Sequence, residues 1–155
     1  MLKNLCLRLL GLNLLLVGCQ SAPKPPQLAF KSVWSRSVKV AAHADSGVHA
    51  HGSNGVVYLN IENRGGVADR LLRAHAAACA VTELHQTIMQ GDRMMMQPVT
   101  EGLEIPSHGE LRLAPRGHHI MLMNLKRSLN VGDSLEVHLE FAHSGVKTVY
   151  SHVRE

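Results

Sequence analysis

An all-β domain is the fold class that this sequence predicts, and three observations carry the prediction. Apolar residues recur at every second position in short runs, Gly, Asn, Asp and Pro break those runs at regular intervals, and no helical periodicity persists beyond a turn. The clearest run is Ser134 to Phe141, which puts Leu135, Val137, Leu139 and Phe141 on one face and Glu136, His138 and Glu140 on the other. A turn at His143-Ser144-Gly145 leads into a partner strand from Val146 to Val153. Earlier in the chain the same reading gives strands over Ser37 to Ala42, Val56 to Ile61, Asp69 to Arg73, Val81 to His85, Arg93 to Met96, Glu110 to Leu113 and His119 to Asn124. Asn63-Arg64-Gly65-Gly66, Ala114-Pro115-Arg116-Gly117 and Asn130-Val131-Gly132-Asp133 supply turns between them. Roughly eight short strands at this spacing predict an antiparallel Greek-key β-sandwich or barrel. The alanine-rich stretch 74–80 reads as a single turn, and there is no internal repeat.

The first residues carry an address. Lys3 and Arg8 precede an apolar run, Leu9 to Val17, that is too short for a permanent span, and Gly18 precedes Cys19. Leu16-Val17-Gly18-Cys19 resembles the bacterial lipobox, which implies a signal peptide over residues 1–18 and a lipidated, palmitate-bearing Cys19 as the first mature residue. Gln20 in place of an acidic residue implies, by the same resemblance, the outer membrane. Residues 19–28, with Pro23, Pro25 and Pro26, read as an extended tether, and 29–155 as one domain.

Composition excludes several classes. Residues 19–155 carry 14 basic and 12 acidic side chains, a formal charge of +2, and aromatic residues make up 3% of the chain. That leaves neither the electrostatic footprint nor the stacking platform of a nucleic-acid binder. Of three cysteines, Cys6 belongs to the signal and Cys19 carries lipid, so Cys79 has no intramolecular partner and reads as a small buried hydrophobe. Gly-x-Ser-x-Gly, His-Glu-x-x-His and phosphate-loop motifs are absent, so no enzyme is expected.

Chemistry concentrates instead in imidazole and thioether: His85, Met96 and the triplet His119-Ile120-Met121. A polarisable sulfur prefers a soft ion whereas hard cations require oxygen, so this mixture without thiolate suits Cu(I). Strand alternation puts His119 and Met121 on one face and Ile120 on the other, and it pairs Met94 with Met96 while directing Met95 away. Met94 is an alternative to Met96 if the register slips by two. Met89, Met95 and Met123 read as core filler, and His75, His108, His138, His143 and His152 as surface or turn residues. A blue-copper centre would need a cysteine beside two histidines, and Cys79 lies far from His119-Ile120-Met121.

Several separated motifs in order resemble one family. Val81-Thr82-Glu83-Leu84-His85, Met89, Met94, Met96-Gln97-Pro98-Val99, Leu103-Glu104-Ile105-Pro106, Pro115-Arg116-Gly117 and His119-Ile120-Met121-Leu122-Met123-Asn124-Leu125 are similar to the periplasmic copper chaperones of the PCu(A)C type, as are Trp34-Ser35-Arg36 and Tyr58 to Asn63 upstream. The resemblance implies a cupredoxin-like β-sandwich that binds one Cu(I) through two His and two Met, in the order His, ten residues, Met, about twenty-one residues, His-x-Met. His85 and Met96 enclose ten residues; Met96 and His119 enclose twenty-two, one more than the pattern, at Thr100-Glu101-Gly102. His118 would keep the spacing but starts no His-x-Met, so the implied ligands are His85, Met96, His119 and Met121. The implied role is a monomeric, membrane-anchored chaperone on the periplasmic side of the envelope. It would deliver Cu(I) to an acceptor such as the copper centre of cytochrome c oxidase or its thiol-containing assembly factor. The competing expectation is a copper-sequestering, tolerance lipoprotein with the same site. One further feature is the loop His43-Ala44-Asp45-Ser46-Gly47-Val48-His49-Ala50-His51-Gly52, where His49 and His51, with His43 or Asp45, form a candidate second, weaker Cu(II) position against the reading of a solvated polar loop.

Overall fold

The computed structural model describes residues 22–40 and 53–155. The expectations for the signal peptide, for Cys19 and for the His43, Asp45, His49 and His51 loop lie outside them. Ten strands follow one another: β1 (Leu28–Arg36), β2 (Gly55–Asn63), β3 (Asp69–His75), β4 (Cys79–Gln90), β5 (Arg93–Pro98), β6 (Leu103–Ile105), β7 (Glu110–Leu113), β8 (His118–Leu125), β9 (Ser134–Phe141) and β10 (Gly145–Arg154). Their order across the sheet is β5-β4-β8-β7-β2-β1-β10-β9-β3-β6, with β8 also pairing β2. The sheet folds over on itself, so that β3 approaches β4 and β6 approaches β7 and β2.

The expected all-β class is borne out. Two pairings, β1 with β10 and β7 with β8, are parallel, so the sheet is mixed rather than wholly antiparallel. β6 is not among the expected strands, and of β1 only Trp34-Ser35-Arg36 is anticipated, by the family resemblance, as part of an opening strand. β1 carries a register shift between Lys31 and Trp34, with Ser32 at φ 51°, and this bulge breaks the alternation that sequence reading depends on. β6 has only three residues, too few to show a period. Conversely, the expected strand over Ser37 to Ala42 reduces, within the described residues, to a single bridge between Val38 and Leu129.

The core takes alternate residues from both layers: Val57, Leu59 and Ile61 of β2, Leu71 of β3, Ile105 of β6, Leu113 of β7, Ile120 and Leu122 of β8, Val137 and Leu139 of β9. Each such side chain contributes about 1.5–3 kcal/mol on leaving water. Because Ile120 and Leu122 face this core, His119 and Met121 must face the other way, and the placement of the site follows from burial on β8. Cys79 is buried and free, with Sγ 3.4 Å from the Ala76 carbonyl oxygen and 3.2 Å from Thr82 Oγ1.

Two polar anchors close the body. Asp69 is buried at the start of β3, and its carboxylate accepts hydrogen bonds from the backbone N–H groups of Arg70 (2.8 Å), His143 (2.9 Å) and Ser144 (3.0 Å). It therefore ties the β9–β10 turn to β3. Lys24 to Gln27 dock on the β2–β3 turn: the Arg64 N–H donates to the Gln27 carbonyl and the Gly66 N–H to that of Lys24, both at 2.9 Å. Only glycine fits at 65, since a Cβ there would run into the Pro25 carbonyl and come within 2.7 Å of Pro26 Cα.

Candidate metal centre

In the β4–β8 ladder His85 pairs directly with His119, and Glu83 with Met121. Directly opposed residues share a face, so all four side chains project together on the face opposite Leu84, Ile120 and Leu122. The imidazole centroids of His85 and His119 are 5.8 Å apart. His119 is 2% exposed although it faces away from the main core. Its cover includes Tyr58, whose ring centroid lies 6.3 Å away, and Tyr58 is backed by Trp34 at 4.6 Å, over which the Arg154 guanidinium stacks at 3.7 Å. This aromatic row forms one wall of the site.

The hydrogen bonds determine which nitrogen of each ring is free. His85 Nε2 lies 2.8 Å from a Glu83 carboxylate oxygen, and His119 Nδ1 lies 3.0 Å from the Gly117 carbonyl oxygen. Those oxygens only accept, so the proton of each neutral ring resides on the bonded nitrogen. The other nitrogens, Nδ1 of His85 and Nε2 of His119, are buried and have no partner. A buried polar atom without a partner is costly, and here two imidazole nitrogens are left unpaired on one face of neighbouring strands; Nδ1 of His118 is also buried without a partner, on a ring that takes the opposite face of β8. Held N–H groups behind free lone pairs are the arrangement that orients metal-ligating histidines. Burial pulls the His119 imidazole below the ordinary histidine range, the hydrogen bond to the Gly117 carbonyl opposes that, and the neighbouring His85 and His118 add to the lowering. The ring is therefore neutral at neutral pH, the form that binds metal.

The thioethers lie on either side of this pair. Met121 is the next same-face residue after His119, between Glu83 of β4 and Val56 of β2, and is half-buried. Met96 lies on β5, an edge strand, opposite Thr87 and 57% exposed. Pro98 stands opposite His85, so Met96 is the diagonal neighbour of His85, about 7–8 Å away by strand geometry and within range of a long side chain. The structure thus brings His85, His119 and Met121 together and leaves Met96 at the open rim. Met94 is one same-face step further out, opposite Met89. His118 pairs with Gln86 and faces the other way. Among the described residues no group of three or more His, Cys, Asp or Glu side chains is placed to hold a metal ion. A shell built on the two imidazoles would therefore draw on sulfur, which suits a soft cation.

Sequence reasoning missed Glu83, the Gly117 carbonyl and the Tyr58–Trp34 wall. Glu83 was within reach of the alternation argument, being two residues before His85 on the same strand; the wall depends on β1–β2–β8 register, which has no local signal. Met89 and Met95 are 63% and 41% exposed, so the expectation that they fill the core is wrong; the β4–β5 hairpin they belong to extends beyond the body. Met123 is half-buried, and the five histidines expected at surface or turn positions are exposed or half-exposed.

The fold is that of the PCuAC-type β-sandwich domain. Solved structures similar to this chain include one described as "Copper-bound PCuAC domain from PmoF2", 18% identical, TM-score 0.59, covering 86% of this chain and 98% of that one. Another is the solution structure of CuI-DR1885 from Deinococcus radiodurans, 25% identical, TM-score 0.51, covering 89% and 83%. The chain belongs to the family described as "Putative lipoprotein LpqE-like", whose model matches residues 28–153. It is also 32% identical over 96 residues to "Putative lipoprotein Lxx21020" of Leifsonia xyli subsp. xyli, spanning 62% of this chain and 58% of that relative.

Proposed function

We propose that this protein is a lipid-anchored envelope copper chaperone that holds one Cu(I) through His85, Met96, His119 and Met121 and passes it to a copper-requiring acceptor. The observation that carries the reading is the pair of buried, unpartnered nitrogens, His85 Nδ1 and His119 Nε2, on facing strands beside Met121. Copper is cargo here. Neutral imidazole and thioether ligands are weak enough for stepwise exchange, and Met96 on the exposed edge strand is the ligand an incoming acceptor can displace first. The similarity to copper-bound and CuI-bound PCuAC domains supports the choice of metal. The acceptor class is a thiol-bearing assembly factor or a dinuclear copper centre of the cytochrome c oxidase type. Incubation of the Cu(I)-loaded protein with such an apo-acceptor tests delivery: copper should move to the acceptor, and copper retained against a tighter-binding acceptor would indicate sequestration instead.

Glu83 orients His85, so Glu83→Ala is expected to lower Cu(I) affinity about 10–100-fold without touching the metal. Competition with a chromophoric Cu(I) chelator measures it, and an affinity equal to that of the wild type would remove Glu83 from the account.

Membrane attachment is proposed through Cys19, supported by the lipobox-like Leu16-Val17-Gly18-Cys19 and by the lipoprotein family to which the chain belongs. The Lys24 carbonyl is hydrogen-bonded to the Gly66 N–H, and the five peptide units from Cys19 to Lys24 can span at most about 18 Å, so an anchor at Cys19 would hold the body close to the membrane. Mass spectrometry of membrane-extracted protein should find acyl chains on an N-terminal Cys19; a mature chain starting elsewhere would refute the anchor.

A further inference from the structure

Three of the four methionines of the β4–β5 hairpin share one face, and neither the core nor a four-ligand centre accounts for them in full. The hairpin turn is only Gly91-Asp92, with Gly91 at φ 60°, the left-handed conformation that a two-residue hairpin turn requires. So tight a turn fixes the register: Gln90 pairs with Arg93, Met89 with Met94, Ile88 with Met95 and Thr87 with Met96. Met89 and Met94 are therefore directly opposed on one face, and Met96 is the next residue on that face. Met89, Met94 and Met96 are 63%, 59% and 57% exposed, so they bury little surface and add little to folding. Opposed Cβ atoms lie about 4.5–5.5 Å apart, close enough for the flexible Met89 and Met94 side chains to bring their sulfurs onto one ion.

We propose that Met89, Met94 and Met96 form a second soft-metal position, an all-thioether Cu(I) site at the hairpin tip. Met96 is common to this site and to the histidine centre, so an ion reaches His85 by exchanging the Met89 and Met94 sulfurs for the His85 and His119 nitrogens while Met96 holds it. The site depends only on the hairpin register; its role as a loading and unloading station rests on the chaperone reading. Its ligand class is a soft monovalent cation, because the three donors are uncharged sulfurs without a carboxylate among them. Protonation does not compete for thioethers, so this position stays competent under acid conditions that protonate imidazole.

The test uses the protein labelled with 13C at the methionine methyls and titrated with Ag(I), followed by NMR. In the His85→Asn/His119→Gln variant the methyl signals of Met89, Met94 and Met96 should all shift, and adding Met89→Leu/Met94→Leu should abolish the response. Should the histidine substitutions unfold the protein, the wild type answers the same question: a second equivalent of Ag(I) should shift Met89 and Met94. In the otherwise wild-type protein Met89→Leu/Met94→Leu should leave the equilibrium affinity of the first Cu(I) within about threefold and slow its exchange with a small chelator at least tenfold, roughly, as expected when only the path is altered. Met89 and Met94 methyls that ignore Ag(I) in every form overturn the site, as does a response only to an added acceptor protein, which would make the hairpin a docking surface. In the wild type, shifts at Met89 and Met94 with none at Met121 would sustain this site and reject the histidine centre.

Discussion

Met121→Leu and His119→Ala are each expected to weaken Cu(I) binding by at least about a hundredfold, more than the 10–100-fold typical of a residue that only supports a ligand. The two substitutions test different atoms. Leucine keeps nearly the volume of methionine, so Met121→Leu removes a sulfur from the space between Glu83 and Val56 without opening a cavity. His119→Ala removes Nε2, one of the two unpartnered buried nitrogens on the site face, and also the ring packed against Tyr58. Its effect on folding must be measured alongside by thermal melting of the apo-protein. Competition against a chromophoric Cu(I) chelator gives both affinities. If neither variant differs from the wild type, the assignment of His119 and Met121 as ligands fails.

The largest effect on stability away from the metal is expected at Asp69. Burial alone would push this carboxyl up, but hydrogen bonds from Ser144 and from the His143 and Arg70 N–H groups outweigh it and hold the carboxyl below the usual carboxylate range. Asp69→Ala leaves these donors without their acceptor where β3 meets the β9–β10 turn, and a loss of about 2–4 kcal/mol is expected. The sign of the pH dependence follows from the lowered value. A carboxylate favoured in the folded state contributes stability that is complete above the ordinary aspartate range, near pH 4, and is lost as pH falls through the lower folded value. Chemical denaturation between about pH 7 and pH 3 should show the gap between wild type and Asp69→Ala closing on acidification. A gap that stays constant or widens would show that the carboxylate charge is not what holds the turn.

Much of this molecule could be read in the chain, and the unread parts share a cause. Leu135, Val137, Leu139 and Phe141 announced β9, and His119, Ile120 and Met121 announced which side of β8 faces the core, because both are local alternations on regular strands. Pairing His85 with His119 needed the additional fact that β4 and β8 are neighbours, which spacing does not encode and which the family resemblance anticipated. Trp34 and Tyr58 meet His119 only through a bulged β1 and the β1–β2–β8 order. Met89 and Met95 were misread because alternation reports which face a side chain takes, not whether anything covers that face. Glu83 could have been placed by alternation, two residues before His85, but it had no legible role until the His85 ring nitrogens were seen, one bonded to its carboxylate and the other left free.

The central claim concerns two atoms, His85 Nδ1 and His119 Nε2, as the nitrogen donors to Cu(I). Long-range 1H–15N correlation of the histidine rings reads them directly. In the apo-protein at neutral pH, His85 should show the Nε2–H tautomer and His119 the Nδ1–H tautomer. On loading with one equivalent of Cu(I), Nδ1 of His85 and Nε2 of His119 should shift strongly while their protonated nitrogens and His118 change little. Rings of His85 and His119 that keep their apo signals in the fully loaded protein would contradict the account.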